Sequence, residues 1–149
     1  MVQNPPEGYH SITPYLIVEG AADFLAFAKT GLGAKPRGEL MEDPRNGLIG
    51  HGECKIGNSV VMFADAMEGY PATRTLLHVY VDDLDAAFHA AVAAGAKVLD
   101  EPRDQFYGDR TAQVEDKWGN RWYFGQHMED VSPDEMMARM EAQFGAEGS

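Results

Sequence analysis

Leu77-His78-Val79-Tyr80-Val81-Asp82-Asp83 is the segment from which the architecture can be read. Up to Val81 it is aliphatic and aromatic, the composition of a strand. It then turns acidic and feeds directly into an alanine-rich segment with helical spacing. Tyr15-Leu16-Ile17-Val18-Glu19-Gly20-Ala21 repeats the same device, with Val18 in the place of Val81. Both segments run on to a Gly-Ala-Lys triplet, Gly33-Ala34-Lys35 and Gly95-Ala96-Lys97, at an offset one residue shorter. Gly57-Asn58 and Gly119-Asn120 follow at the same offset as the triplets. Three landmarks in one order, with a single-residue slip, mark a duplicated unit.

Two modules follow, about residues 9–68 and 73–127, within one domain of residues 1–149. In the first, residues 12–18 read as a strand with Pro14 near its edge. Residues 21–31 read as a helix burying Phe24, Leu25 and Phe27 and ended by Gly31 and Gly33. Strands are expected over 35–42, 48–56 and 59–64, with turns at Asn46-Gly47 and Gly57-Asn58. The second module repeats this with a strand at 76–81 and a helix at 84–94, whose stripe is Leu84, Ala87, Phe88, Ala91 and Val92. Strands at 97–101, 110–116 and 121–126 complete it. A last helix spans 132–143, capped by Ser132 with Pro133 at its first position. Gly145 to Ser149 are expected to fray.

The expected class is therefore α+β: two tandem βαβββ modules forming a cupped mixed sheet, plus a C-terminal helix. One such module has too little core to stand alone. Alternation along the strands sends Leu16, Val18, Val79 and Val81 toward the helices. Thr13, Tyr15, Ile17, Leu76, His78 and Tyr80 then face a cup at the module junction. Of the neighbours Trp122 and Tyr123, only one can face it, and Tyr123 is the better candidate. Phe106, Tyr107 and Phe124 complete the aromatic set, of which about half belongs to the core.

Twenty-four acidic against twelve basic residues give a net charge of −12 and a pI near 4.6. No cluster of Lys or Arg suggests nucleic acid as a partner, and no apolar run suggests a membrane. Met1 to His10 lack the basic and apolar segments of a signal peptide, and the single cysteine, Cys54, cannot form an internal disulfide. A cytoplasmic protein is expected.

The duplicated strand–helix–three-strand pattern resembles the vicinal oxygen chelate superfamily, the glyoxalase, bleomycin-resistance and dioxygenase group. Asp104-Gln105-Phe106-Tyr107-Gly108-Asp109-Arg110, then Asp116-Lys117-Trp118-Gly119-Asn120-Arg121-Trp122, look like its PhnB-like branch. So does Ile49-Gly50-His51-Gly52-Glu53, leading to Gly57-Asn58-Ser59-Val60-Val61-Met62. The resemblance covers about residues 8–135.

Metal-using members carry four ligands whose positions project here onto Thr13, Leu76, Val61 and Tyr123, with Met62 and His78 as near substitutes. None of the four projected residues is a good ligand for a divalent cation. The resemblance thus implies a protein without the standard metal, and no cofactor is expected. Its small organic ligand would be bound by Thr13, Tyr15, His78, Tyr80, Tyr123 and Arg110. A cationic ligand of the bleomycin kind would be drawn by the acidic surface.

The alternative is a lyase, isomerase or dioxygenase whose divalent metal is held by His51, Glu53 and His78. No catalytic residue is assigned. Asp109 and Arg110 are expected to pair with each other, and Cys54 to be a small buried hydrophobe. His10, His89 and His127 read as surface residues. A homodimer is expected, with Met136, Met137, Met140 and Phe144 as an apolar stripe on the last helix.

Overall fold

The structure, a computed structural model, describes residues 2–145; of the tail expected to fray, residues 146–149 lie outside the described residues. The first module runs β1 (Tyr15–Val18), α1 (Ala21–Gly31), β2 (Lys35–Glu42), β3 (Ile49–Ile56) and β4 (Ser59–Asp65). The second runs β5 (Leu76–Tyr80), α2 (Leu84–Ala93), β6 (Lys97–Asp104), β7 (Asp109–Glu115) and β8 (Arg121–His127). Helix α3 (Pro133–Met140) follows and ends in a wider turn over Glu141–Gly145. The expected α+β class, the two tandem modules and the C-terminal helix are all present.

Two strand boundaries differ from the sequence pattern by three residues, the other strand ends fall within one residue of it, and α3 ends at Met140 rather than at 143. Residues 12–14 stay outside β1, although the Pro14 carbonyl accepts from Met62 N–H. Strand β6 runs past 101 to Asp104, with register shifts on either side of Asp100 that absorb Pro102.

The strands form two four-stranded sheets, ordered β1-β4-β3-β2 and β5-β8-β7-β6. In each, the first strand pairs in parallel with the last, and the remaining pairs are antiparallel. β1 and β5 are thus outer strands. The linker explains why they do not join: Thr73 donates its N–H to Ile17 O at 3.0 Å. Ile17 N–H donates to Thr73 Oγ1 at 3.1 Å, so the linker occupies the open edge of β1.

One apolar core spans both modules. Leu16, Val18, Phe63 and Phe24 meet on the helix side of the first sheet, and Trp122, Phe124, Val114 and Phe88 on that of the second. The helices touch where α1 ends: a Cβ on Gly31 would come within 2.9 Å of Ala94 Cβ. Gly31 therefore serves the helix–helix contact as well as the helix end. Trp118, on the β7–β8 turn, locks the modules together. Its ring packs on Phe24 and Phe27, and its indole N–H donates to Glu19 O at 2.9 Å. Asp116 holds that turn, accepting from Trp118 N–H, Asn120 N–H and the Trp122 indole. The Asp116–Trp122 segment is therefore scaffold.

Each module's helix is capped from its own last strand. Asp65 Oδ1 accepts from Gly20 N–H at 3.2 Å and Ala21 N–H at 2.6 Å, while Oδ2 accepts from Ile49 N–H at 2.7 Å. Gln126, near the end of β8, accepts from Leu84 N–H in the same way, and α2 also has its own cap, Asp83. Ser132 caps α3 as expected.

Candidate functional site

Strand alternation places the side chains much as the sequence reading expects. Leu16 and Val18 are fully buried against α1, leaving Tyr15 and Ile17 on the other face. Leu77 and Val79 pack on the core, leaving Leu76, His78 and Tyr80 outward. Parallel register pairs Tyr15 with Met62 and His78 with Tyr123. The duplication thus carries Tyr15 onto His78 and Met62 onto Tyr123, one pair on the open face of each sheet.

On the second sheet these residues form an aromatic ladder. The His78 ring stacks on Tyr123 at 4.8 Å between centroids with 23° between planes, and lies 4.8 Å from Tyr80. Tyr123 Oη meets Tyr107 Oη at 3.2 Å. Burial, with the Tyr123 hydroxyl beside it, pushes the Tyr107 phenol far above the ordinary range, so it stays protonated. Gly125 makes room for the ladder: a Cβ there would stand 2.6 Å from His78 Cε1. Tyr80 and Leu76 are 66% and 63% exposed, so the face is open to solvent. A crevice of about 300 Å³ at the module junction adds Pro14 and the Asn58 turn to His78 and Tyr80.

On the first sheet Tyr15 meets His51 instead, Oη to Nδ1 at 3.2 Å. His51 Nε2 lies 3.6 Å from Glu53 Oε2. Beside Tyr15 is a cleft of about 590 Å³ lined by Ile17, Gly50, Ala64, Met67 and Tyr70, and by the carboxyl-bearing Asp43 and Asp65.

The remaining expected ligand contacts fall elsewhere. Thr13 is half-buried and donates its hydroxyl to His10 O. Arg110 faces the helix side, bound to Asp85 at the start of α2 and to Asp104. It does not pair with Asp109, because adjacent strand residues point to opposite faces. Asp109 instead joins His127, whose other nitrogen meets Asp130, both at 2.7 Å. His127 is therefore clamped rather than free, which spacing alone could not reveal.

Trp122 and Phe124 are core residues at 1% and 2% exposure. Cys54 is fully buried, and desolvation pushes its thiol up to about 11, as suits an inert hydrophobe.

A divalent metal does not fit these faces. Val61, one projected ligand position, points into the core. The open-face positions offer two phenols, a thioether and one imidazole, a poor donor set for a hard or borderline cation. His51 and Glu53 lie together, but His78 is stacked on Tyr123 on the other sheet. Among the described residues, no three His, Cys, Asp or Glu side chains converge as an ion would require.

Comparison with known proteins matches residues 9–124 to the model of the Glyoxalase/Bleomycin resistance protein/Dioxygenase superfamily. Protein Mb0911c of Mycobacterium bovis is 32% identical over 147 residues, covering 89% of this chain and 93% of its own. TioX from Micromonospora sp. ML1 shares the fold at TM-score 0.62 and 22% identity, over 83% of this chain and all (100%) of that one. The Bacillus cereus PhnB protein, described as a putative 3-demethylubiquinone-9 3-methyltransferase, does so at TM-score 0.61 and 18% identity, over 78% and 99%. With the family model spanning most of the chain and both duplicated modules in place, this protein belongs to the glyoxalase/bleomycin resistance protein/dioxygenase superfamily.

Proposed function

We propose that this chain is a metal-independent member that binds a small, flat organic molecule on the aromatic face of the second sheet. The observation that carries the reading is the ladder of Tyr80, His78, Tyr123 and Tyr107, two ring contacts and one hydroxyl pair on an open sheet face. Rings stacked this way form an aromatic wall along the sheet, and the His78 nitrogens and tyrosine hydroxyls at its edge orient whatever lies against it. The net charge of −12 favours a cationic ligand. Tyr15, Thr13 and Arg110 are not part of this face, so the proposed contacts narrow to His78, Tyr80 and Tyr123.

The proposal extends to a cytoplasmic homodimer of the PhnB-like branch. The branch is supported by the Phe106–Arg110 segment and the likeness to the B. cereus protein. The dimer is supported by the outer strand β5, whose second edge pairs with no other strand among the described residues. The expected stripe on α3 contributes less: Phe144 packs on Phe106, and Met136 and Met140 are already half-buried.

Titration with metal-free bleomycin, a cationic glycopeptide, tests the binding reading. Saturable binding is expected, weakened about tenfold by His78→Ala or Tyr123→Ala, the scale of losing one ring contact. Arg110→Gln should leave it unchanged. Flat heats remove the cationic-drug version, and stoichiometric zinc, nickel, manganese or iron in the purified protein removes the metal-independent one. Light scattering reads the dimer.

A further inference from the structure

We infer that Glu53, His51 and Tyr15 form a proton relay that makes the Tyr15 hydroxyl the reactive group of a second site. The site is a nucleophilic centre for small acyl compounds, and it is independent of the aromatic face of the second sheet. Strand register sets the relay. His51 and Glu53 are two residues apart on β3, so both face away from the core, and Glu53 sits opposite Met62, the partner of Tyr15.

The order of groups is that of an activated nucleophile. Glu53 Oε2 stands 3.6 Å from His51 Nε2, a Coulombic contact that favours the tautomer with the proton on Nε2. Nδ1 is then the acceptor, and the Tyr15 O–H points at it from 3.2 Å. The other carboxylate oxygen, Glu53 Oε1, is buried without a hydrogen-bond partner, and the Arg37 guanidinium stays 4.0 Å away. Arg37 is an ion-pair partner of that oxygen at this distance, so the carboxylate bridges the guanidinium and the imidazole. Tyr15 is 41% exposed and forms part of the wall of the cleft of about 590 Å³, whose Ile17, Ala64, Met67 and Tyr70 surfaces suit a small apolar acyl group and whose Asp43 and Asp65 disfavour an anionic one. His51 does not line that cleft, so a bound molecule meets the phenol with the base behind it.

The chemistry balances without a co-reactant beyond water. Tyr15 Oη attacks the acyl carbon as its proton passes to His51 Nδ1, and Glu53 stabilises the imidazolium. The bond from the acyl carbon to the leaving oxygen breaks, and the leaving group departs as its anion into the open cleft. Water then hydrolyses the tyrosyl ester, releasing a carboxylic acid, and His51 returns its proton to the Tyr15 oxygen. Tyr15 and His51 are the reacting groups, and Glu53 is a positioning residue.

Tyr70 supplies an internal control: it borders the same cleft and is 65% exposed, and the imidazole there is turned to Tyr15 instead. With the full-length protein and p-nitrophenyl acetate as probe, acetylation of each tyrosine is followed by peptide mass mapping and nitrophenolate release by absorbance. Tyr15 is expected to react at least about tenfold faster than Tyr70, the low end of what a positioned base supplies. Tyr15→Phe should remove both the adduct and the release above buffer. His51→Gln should bring Tyr15 down to the Tyr70 rate. Glu53→Gln should slow Tyr15 and move the pH profile of its acetylation, which a merely structural role would not do. Equal rates at Tyr15 and Tyr70, or a Tyr15 rate indifferent to His51→Gln, overturn the relay. If a variant fails to fold, long-range ¹H–¹⁵N spectra of wild type decide: a His51 ring protonated at Nδ1 alone refutes it.

Discussion

Asp65 accepts three backbone N–H groups from two elements, so its removal should be felt far beyond one helix cap. Asp65→Ala leaves the Gly20 and Ala21 N–H groups at the start of α1 without acceptors, together with that of Ile49 at the start of β3. A hydrogen bond to a charged group contributes roughly 1.5–3 kcal/mol, and water will replace part of that at a half-buried site. With the favourable charge at the helix N-terminus also gone, the loss should be about 3 kcal/mol, or a fall in Tm of about 6–12 °C for a chain of this size. Asp65→Asn should cost about half as much: one oxygen can still cap α1, but the new amide meets the Ile49 N–H donor to donor. The duplicated module provides the control. Gln126→Ala removes one neutral bond to Leu84 N–H, and Asp83 still caps α2, so about 1 kcal/mol is expected. Urea unfolding of the three variants, followed by circular dichroism and tryptophan fluorescence, measures these values. A loss below about 1 kcal/mol for Asp65→Ala, or one no larger than for Gln126→Ala, would refute the reasoning.

The His127 clamp should make stability depend on pH. Hydrogen bonds donated to Asp109 first, and then to Asp130, raise the His127 pKa above its ordinary value of 6.5. A raised folded-state pKa means stabilisation fully present below pH 6.5 and lost as pH rises through the folded value. His127→Ala should therefore lower Tm at pH 5.5 and leave it little changed at pH 9; an equal deficit at both would count against the clamp. Cys54, with its thiol pushed up to about 11 by burial, should resist a thiol-specific disulfide reagent at pH 8 until the protein is unfolded. Rapid labelling of the native protein would contradict its placement in the core.

The duplication, the α+β class and the faces of most strands were legible in the amino-acid sequence alone. Each of these follows from local periodicity and from landmarks that recur at a nearly constant offset. The split between Leu16 and Tyr15, or between Val79 and His78, is readable because strand geometry sends neighbours to opposite faces whatever the rest of the chain does. Who meets whom came from the folded chain. Tyr15 was legible as an outward residue, but its meeting with His51, 36 residues away, depends on how β1, β4 and β3 are ordered and registered. Arg110 looked like a ligand contact until Asp85, on a helix 25 residues earlier, took its guanidinium. His127 looked like surface decoration until two carboxylates closed on it. Periodicity fixes the direction of a side chain. Its partner is set by sheet register and helix packing, which arise from contacts between residues that the chain order keeps far apart.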